Sequence, residues 1–115
     1  MSGSTESSVL ERKASLLRLE SETQKLEYKL GEKPIYIVGR ERECDVCVYI
    51  SSEISRKHAE IKRSGNAVYQ IRDLGSKNGT YINGKRIGDS FCSLKNNDKV
   101  GLGLHVSFVF KQGMS

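Results

Sequence analysis

From Gly31 onward, the sequence alternates short runs of β-forming residues with turn residues at close spacing. The runs at 80–82 and 85–87, for example, flank the dipeptide Asn83-Gly84. A two-residue Asn-Gly loop between β-formers is the strongest short-range signal for a hairpin. No helical pattern lies between these runs, which disfavours a parallel sheet with crossover helices. The pattern therefore predicts about ten or eleven short strands in an all-β sandwich or barrel.

The predicted strands are rich in β-branched and aromatic residues and are bounded by Gly, Asn, Ser or Pro. Within one of them, Tyr69 and Ile71 alternate with Val68 and Gln70, so the two pairs should occupy opposite faces. After Gly31 the predicted strands span 35–38, 44–50, 57–62, 67–74, 80–82, 85–87, 100–102 and 105–110, with turns at 31–34, 64–66 and 95–98.

The segment 9–30 fits two interpretations. Its leucines among many charges, with no Gly or Pro before Gly31, fit an amphipathic helix. The alternation of Leu26, Tyr28 and Leu30 with charged residues fits a strand. We choose strands from about Ala14. The predicted units are a flexible tail at 1–13, the domain at 14–111 and a C-terminal tail at 112–115, with the first hairpin formed by 15–19 and 25–30.

Length and composition restrict the class of protein. A chain of 115 residues predicts one domain that buries its own core. Cys44, Cys47 and Cys92 show no disulfide framework, which indicates reduced thiols in the cytosol or nucleus. Without a long apolar run or an apolar leader, we expect an intracellular protein that does not enter a membrane. The net charge of +5 suits an acidic or phosphorylated partner.

The sequence offers no case for catalysis or for a metal or other cofactor. Cys44 and Cys47 lie in a predicted strand with their sulfurs on opposite faces, and no second cysteine pair exists. Ser55 and His58 are three residues apart, which in a strand also separates the side chains and disfavours a nucleophile pair. The chain lacks a phosphate-loop motif. The basic loops lack interleaved aromatics, so nucleic-acid binding is not expected.

Polar motifs between Val38 and Gly84 fall at strand ends or in tight turns, and each supplies a donor suited to an anion. Arginine offers a planar fork that matches phosphate oxygens, serine a hydroxyl, and asparagine an amide suited to a peptide backbone. Each could alternatively be a surface or turn residue. We predict that these motifs converge and hold a phosphate. They are Gly39-Arg40, Ser55-Arg56-Lys57-His58, Ser76-Lys77-Asn78-Gly79-Thr80 and Asn83-Gly84.

In this order, the motifs resemble those of forkhead-associated (FHA) domains. The resemblance rests on G-R at 39–40, S-x-x-H at 55–58, D-L-G-S-K-N-G-T at 73–80 and N-G at 83–84. It implies a β-sandwich of eleven mostly antiparallel strands whose loops at one end bind phosphothreonine peptides. The family often has Gly-Asp where this chain has Asn97-Asp98, which concerns only one loop because asparagine tolerates a left-handed turn.

The resemblance also implies roles for individual residues. Arg40 and Ser55 would contact the phosphate or its immediate surroundings, and Asn78 would hold the peptide main chain. Arg56 and Lys77 would face the peptide. Structural roles are implied for Gly39, His58, Gly79 and Asn83.

Finer expectations concern specificity, partners and setting. Glu53 lies on the loop expected to face residues after the phosphothreonine, where it should disfavour acids and favour Lys or Arg. A phosphate on Thr5 would let the tail occupy the pocket of a second copy and drive homodimerisation. The family resemblance implies signalling, including the DNA damage response, and a nuclear location. The alternative function is phosphate-independent interaction or dimerisation through exposed sheet edges and the leucine-rich segment 10–30.

Overall fold

The computed structural model describes residues 17–21, 27–31, 33–65 and 68–112, and every regular element in them is a strand. Since these residues form no helix, none of them makes a helix long and apolar enough to cross a membrane. The strands are β1 (Leu17–Ser21), β2 (Glu27–Lys29), β3 (Ile35–Gly39), β4 (Val46–Cys47), β5 (Ala59–Arg63), β6 (Tyr69–Asp73), β7 (Thr80–Ile82), β8 (Lys85–Ile87), β9 (Cys92–Leu94), β10 (Lys99–Leu102) and β11 (Ser107–Gln112).

The strands form two sheets that pack face to face. One sheet has the order β2-β1-β11-β10-β7-β8 and the other β4-β3-β5-β6-β9. Among the described strands, β3 and β4 pair in parallel, while the other pairs are antiparallel. The predicted sandwich of about eleven mostly antiparallel strands is therefore confirmed.

The core lies between the sheets because each strand turns alternate residues inward. In β6, Tyr69, Ile71 and Asp73 are buried whereas the residues between them are partly exposed. The rings of Tyr69 and Phe110 meet across the core with centroids 5.7 Å apart. The buried hydrophobic cluster comprises Leu30, Tyr36, Val38, Val46, Val48, Ile54, Ala59, Ile61, Tyr69, Ile71, Leu94, Val100, Leu102, Val106, Phe108 and Phe110.

The N-terminal part of the described chain is a hairpin and not a helix. β1 pairs with β2 on one side and with β11 on the other, with Leu19 opposite Tyr28. The helical alternative is therefore wrong for 17–21 and 27–29. The predicted tails lie outside the described residues, except that Gln112 still belongs to β11.

The predicted strand at 44–50 is too long, because only Val46 and Cys47 form a strand there. The Asp45 carboxylate accepts a hydrogen bond from the Ile37 N–H (2.8 Å) and pairs with Lys33 directly before β4 begins. Cys44 thus lies in a turn, and the argument that both sulfurs alternate along one strand does not hold. The strand β9 had no counterpart in the prediction.

Strand directions bring the connections 40–45, 48–58, 74–79, 88–91 and 103–106 to one end of the sandwich. Most of the polar motifs lie on these connections.

The Asn83-Gly84 motif lies at the opposite end, which corrects the prediction that all the motifs converge. The hairpin itself is confirmed, with φ of 51° at Asn83 and 84° at Gly84. The three residues of β7 separate it from Thr80 by about 10 Å. The Asn83 side chain donates to Asp98 (3.0 Å) and accepts from the Lys99 N–H (2.9 Å), so it joins two turns remote from the other motifs.

Candidate functional site

Arg40 is held beside Ser55 by its own backbone and side chain. The Arg40 N–H donates to the Ser55 carbonyl (3.0 Å), and its Nε donates to the Ile54 carbonyl (2.9 Å). The residue is exposed, so its terminal guanidinium nitrogens remain available to an anion in solution.

Gly39 allows this arrangement through a close backbone approach. A Cβ at Gly39 would lie 2.0 Å from the Arg56 carbonyl oxygen and 3.0 Å from the Cys44 sulfur. The φ angle of Gly39 is not positive, so a sharp change of backbone direction does not explain why this residue is glycine. That part of the sequence interpretation is corrected: the missing side chain lets the loop of Arg56 pack onto the end of β3.

The His58 ring joins the Ser55 loop to the Gly79 loop. The ring is fully buried, its Nδ1 lies 3.0 Å from the Ser55 N–H, and its Nε2 lies 2.8 Å from the Gly79 carbonyl. A backbone N–H only donates and a carbonyl only accepts, so Nδ1 accepts and Nε2 carries the proton. Both loops are therefore held by one neutral imidazole.

The loop 76–80 supplies further groups at the same place. The Lys77 N–H donates to the Ser55 Oγ (3.0 Å), which leaves the hydroxyl hydrogen to donate elsewhere. The Asn78 Nδ2 donates to the Glu53 carbonyl (2.8 Å), and its Oδ1 has no hydrogen bond within the described chain. The chain turns at Gly79, where φ is 91°. The Ser55 hydroxyl, a donor, and the Asn78 amide oxygen, an acceptor, thus belong to neighbouring parts of the same site.

Asp73 holds this loop in place through buried hydrogen bonds, and the sequence analysis did not identify it as a site residue. Its buried carboxylate accepts from the Ser76 hydroxyl (2.5 Å), the Thr80 hydroxyl (2.6 Å) and the N–H groups of Gly75 and Ser76 (both 2.9 Å). Burial raises the pKa of Asp73, but these hydrogen bonds outweigh burial and hold the pKa of this carboxyl below its usual range. The Asp-x-Gly spacing, in which an aspartate accepts from the N–H two residues on, was the signal that could have identified it.

Arg56, Lys57 and Lys77 are exposed cations on the same loops, and within the described ranges their side chains form no ion pair or hydrogen bond. Arg56 follows Ser55 directly, and its carbonyl accepts from the Glu41 N–H (3.3 Å) and the Cys44 thiol (3.2 Å). Burial raises the pKa of Cys44, which keeps this thiol a donor. The exposed edge of these loops, here called the rim, is thus positively charged and accessible to an anion.

Glu53 has its carboxylate directed away from this rim and toward His105. Oε1 accepts from the His105 N–H (2.8 Å), and Oε2 lies 3.1 Å from the imidazole Nδ1. Burial raises the pKa of Glu53, but the hydrogen bonds and charge of His105 outweigh it and lower the pKa. A ligand cation would therefore compete with His105 for this carboxylate.

The structure brings Arg40, Ser55, Arg56, Lys77 and Asn78 together at one end of the sandwich, whereas Asn83 lies at the other. In the ranges that are described, no cluster of three or more His, Cys, Asp or Glu residues could hold a metal ion. What remains is a cup of hydrogen-bond donors and cations on a rigid β scaffold. The donors and cations of this arrangement are chemically suited to an anionic group.

Comparison with known proteins identifies the family. The FHA domain model matches residues 36–103, and the chain belongs to the FHA family. It is 33% identical over 99 residues to the DNA damage response protein kinase DUN1 of Saccharomyces cerevisiae, an alignment that covers 80% of this chain and 18% of the kinase. The chain therefore spans about a fifth of that relative's length.

Solved structures agree with this assignment. An FHA domain from Chlamydia trachomatis is 30% identical, with a TM-score of 0.76, and the match covers 85% of this chain and 98% of that one. A structure from a study of phosphothreonine-dependent FHA domain interactions is 25% identical, with a TM-score of 0.75, and covers 86% and 98%.

We expect Gly39→Ala to destabilise the domain by about 2–4 kcal/mol, because the new methyl group overlaps the Arg56 carbonyl. Urea unfolding followed by circular dichroism measures the change. Gly88→Ala is the matched control, since a Cβ there meets nothing within 4 Å. Equal stabilities of the two variants would contradict the proposed close approach.

We expect Asp73→Asn to lower stability by about 2–4 kcal/mol at pH 7, because buried donors lose a charged acceptor. The folded pKa lies below the unfolded value, so the carboxylate stabilises the fold above about pH 3.9 and loses this effect as pH falls through the folded pKa. The difference from wild type should therefore shrink between pH 5 and pH 2 on urea unfolding. Exposed Asp89→Asn serves as control, and a pH-independent difference for Asp73→Asn would argue against the charge.

Proposed function

We propose that this chain is a non-catalytic module that binds phosphothreonine-containing protein segments. The main observation in favour of this proposal is that Ser55 accepts two hydrogen bonds, one from each of two loops. Its carbonyl accepts from the Arg40 N–H and its hydroxyl accepts from the Lys77 N–H, each at 3.0 Å. These bonds bring the backbones of Arg40 and Lys77 to Ser55, so a guanidinium, a hydroxyl hydrogen and a flexible ammonium side chain can all reach a ligand at Ser55. A phosphate that docks there meets all of them without a rearrangement of the loops.

The charge of the ligand fits this cup. A phosphorylated side chain carries about −1.5 to −2 charges and three acceptor oxygens. Arg40, Arg56, Lys77 and the Ser55 hydroxyl supply charge-assisted donors, each worth roughly 1.5–3 kcal/mol net. Asn78 extends the site beyond the phosphate, because its Oδ1 can accept a main-chain N–H from an extended peptide. Gly39, His58 and Gly79 act as scaffold, and Asn83 acts as a remote structural residue.

The choice of phosphothreonine as ligand rests on the family. One similar structure comes from a study of phosphothreonine-dependent FHA interactions. Signalling is the setting that this activity implies. A role in the DNA damage response is supported only by the yeast kinase among the relatives. We propose an intracellular setting, and since other relatives are bacterial, they do not favour a nucleus.

Specificity next to the phosphate is proposed to depend on Glu53. Its carboxylate bonds to His105, but it remains a negative charge on the loop before Ser55. Acidic ligand residues that approach this loop are therefore disfavoured, while Lys or Arg gains less than a free carboxylate would give. Thr5, the residue predicted to mediate homodimerisation, lies outside the described residues, and that hypothesis stays a prediction.

The alternative function, phosphate-independent dimerisation, has less support than the sequence suggested. In the leucine-rich segment, Leu30 is fully buried in the core, and β1 is paired on both edges within its sheet. These residues serve the fold of one copy. Sedimentation of the unphosphorylated protein distinguishes the two functions, because a monomer that binds phosphopeptide fits only the first.

We expect a phosphothreonine peptide to bind at least about a hundredfold more tightly than its unphosphorylated form, because the phosphate supplies several charge-assisted hydrogen bonds. Isothermal titration with matched Thr, phosphothreonine and phosphoserine peptides measures this. Equal affinity for the Thr and phosphothreonine peptides would refute the function.

Arg40→Ala and Ser55→Ala should each weaken phosphopeptide binding by about tenfold to a hundredfold, since each removes a donor to the phosphate. Lys95→Ala is the control, because it removes a charge of the same sign in a turn away from the cup. Unchanged affinity of both cup variants would place the ligand elsewhere.

A further inference from the structure

The connection 103–106 bonds to both of the loops that carry the proposed binding groups. At its start, the Gly103 N–H donates to the Gly79 carbonyl (2.8 Å). Two residues later, the His105 N–H donates to the Glu53 carboxylate (2.8 Å). The connection therefore joins the loop of Glu53 to the loop of Gly79, although no motif in the sequence drew attention to it.

The side chain of Glu53 lies directly on the bare backbone of Gly103. A Cβ at Gly103 would lie 2.6 Å from the Glu53 Cγ and 2.7 Å from its Cδ, and the φ of Gly103 is 79°. Across this glycine the carboxylate reaches the N–H of His105 at 2.8 Å and the ring Nδ1 at 3.1 Å. The Glu53 side chain is only 20% exposed, whereas that of His105 is 82% exposed. The carboxylate is therefore held against the protein and is not a freely moving surface charge.

The main chain of Glu53 in turn holds the side chain of Asn78. The Glu53 carbonyl accepts a hydrogen bond from the Asn78 Nδ2 at 2.8 Å. The Glu53 N–H donates to the Ser51 Oγ (3.1 Å), but that bond lies within one loop. The carboxylate bond to His105 connects positions 52 residues apart, so it ties this loop to a distant part of the chain.

The orientation of the Asn78 amide decides which ligand group it can bind. A terminal amide has an oxygen on one side and an NH₂ group on the other, and a half-turn of the side chain exchanges them. A backbone carbonyl only accepts, so the Glu53 carbonyl selects the orientation in which Nδ2 points towards it. Oδ1 then points away from Glu53 and can accept an N–H from a peptide main chain. If the Glu53 carbonyl were displaced, nothing in this contact would select the oxygen over the NH₂ group.

Building on the proposed function, we infer that Glu53 is a positioning residue for Asn78. Its carboxylate is anchored to the connection 103–106, which fixes its carbonyl, and that carbonyl keeps the Asn78 oxygen available to the main chain of a phosphothreonine peptide. This role depends on the hydrogen bond that the Glu53 side chain forms and not on its charge. The connection 103–106 thus supports peptide binding from a distance.

The test uses the intact chain and phosphothreonine peptides in which one backbone amide at a time, from position −3 to +3, is replaced by an ester. The other side chains of the peptide are neutral. An ester lacks the N–H, so loss of one hydrogen bond should weaken binding to the wild type by about threefold to tenfold in isothermal titration. The replacement whose cost falls below about twofold in Asn78→Ala identifies the N–H that the Asn78 oxygen accepts.

Variants at position 53 separate the hydrogen bond from the charge. Glu53→Ala should reduce the cost of that same ester to less than about twofold, because the Asn78 amide is no longer held in one orientation. Glu53→Gln should keep the cost, since glutamine retains an oxygen that accepts from the His105 N–H. Glu43→Ala is the matched control, because it removes the same charge from an exposed residue of the connection 40–45, and it should also keep the cost. Thermal unfolding checks that every variant folds.

An ester cost that persists in Glu53→Ala, or that disappears in Glu53→Gln as well, overturns the positioning role. The absence of any ester whose cost depends on Asn78 overturns it too. A wild type that binds the phosphothreonine peptide no more tightly than the unphosphorylated one instead overturns the proposed function.

Discussion

The buried His58 ring is the interaction on which the geometry of the site depends. It accepts from the Ser55 N–H and donates to the Gly79 carbonyl, and it has no exposed surface. No other common side chain offers an acceptor and a donor in a rigid ring at this separation while it remains neutral. The loops of Ser55 and Gly79 are therefore held at a fixed distance from each other by a residue that is itself buried beneath the proposed site.

Asp73 completes this scaffold on the other side of the loop 76–80. Its carboxylate accepts from hydroxyl and N–H groups of the loop, and within the described chain no buried side-chain polar atom lacks a partner. Such a fully satisfied network stiffens the loop, since any displacement would leave a buried donor unpaired. A rigid loop loses little conformational entropy when a peptide binds, so more of the contact energy appears as affinity.

The sequence predicted what depends on local patterns. Alternation separated the two faces of β6, and the Asn-Gly dipeptide identified the β7–β8 hairpin. Contacts between distant segments carry no such periodic signal. Whether Gly39 serves a turn or a close approach depends on Arg56, which lies many residues away. The end of the sandwich that holds Asn83 depends on strand direction, and β4 is shorter than the β-forming residues at 44–50 predict.

The distribution of charge connects this scaffold to binding. On the sheets, Arg72 pairs with Glu60, and Lys62 lies 4.7 Å from the Phe91 ring. Arg40 and Lys77 lie on loops that both bond to Ser55, and neither has an acidic partner among the described residues, so this end of the sandwich carries uncompensated positive charge. An anion that binds there would offset this charge and stabilise the domain by mass action. The hydrogen bonds of the His58 ring and of the Asp73 carboxylate hold these loops in place before an anion binds.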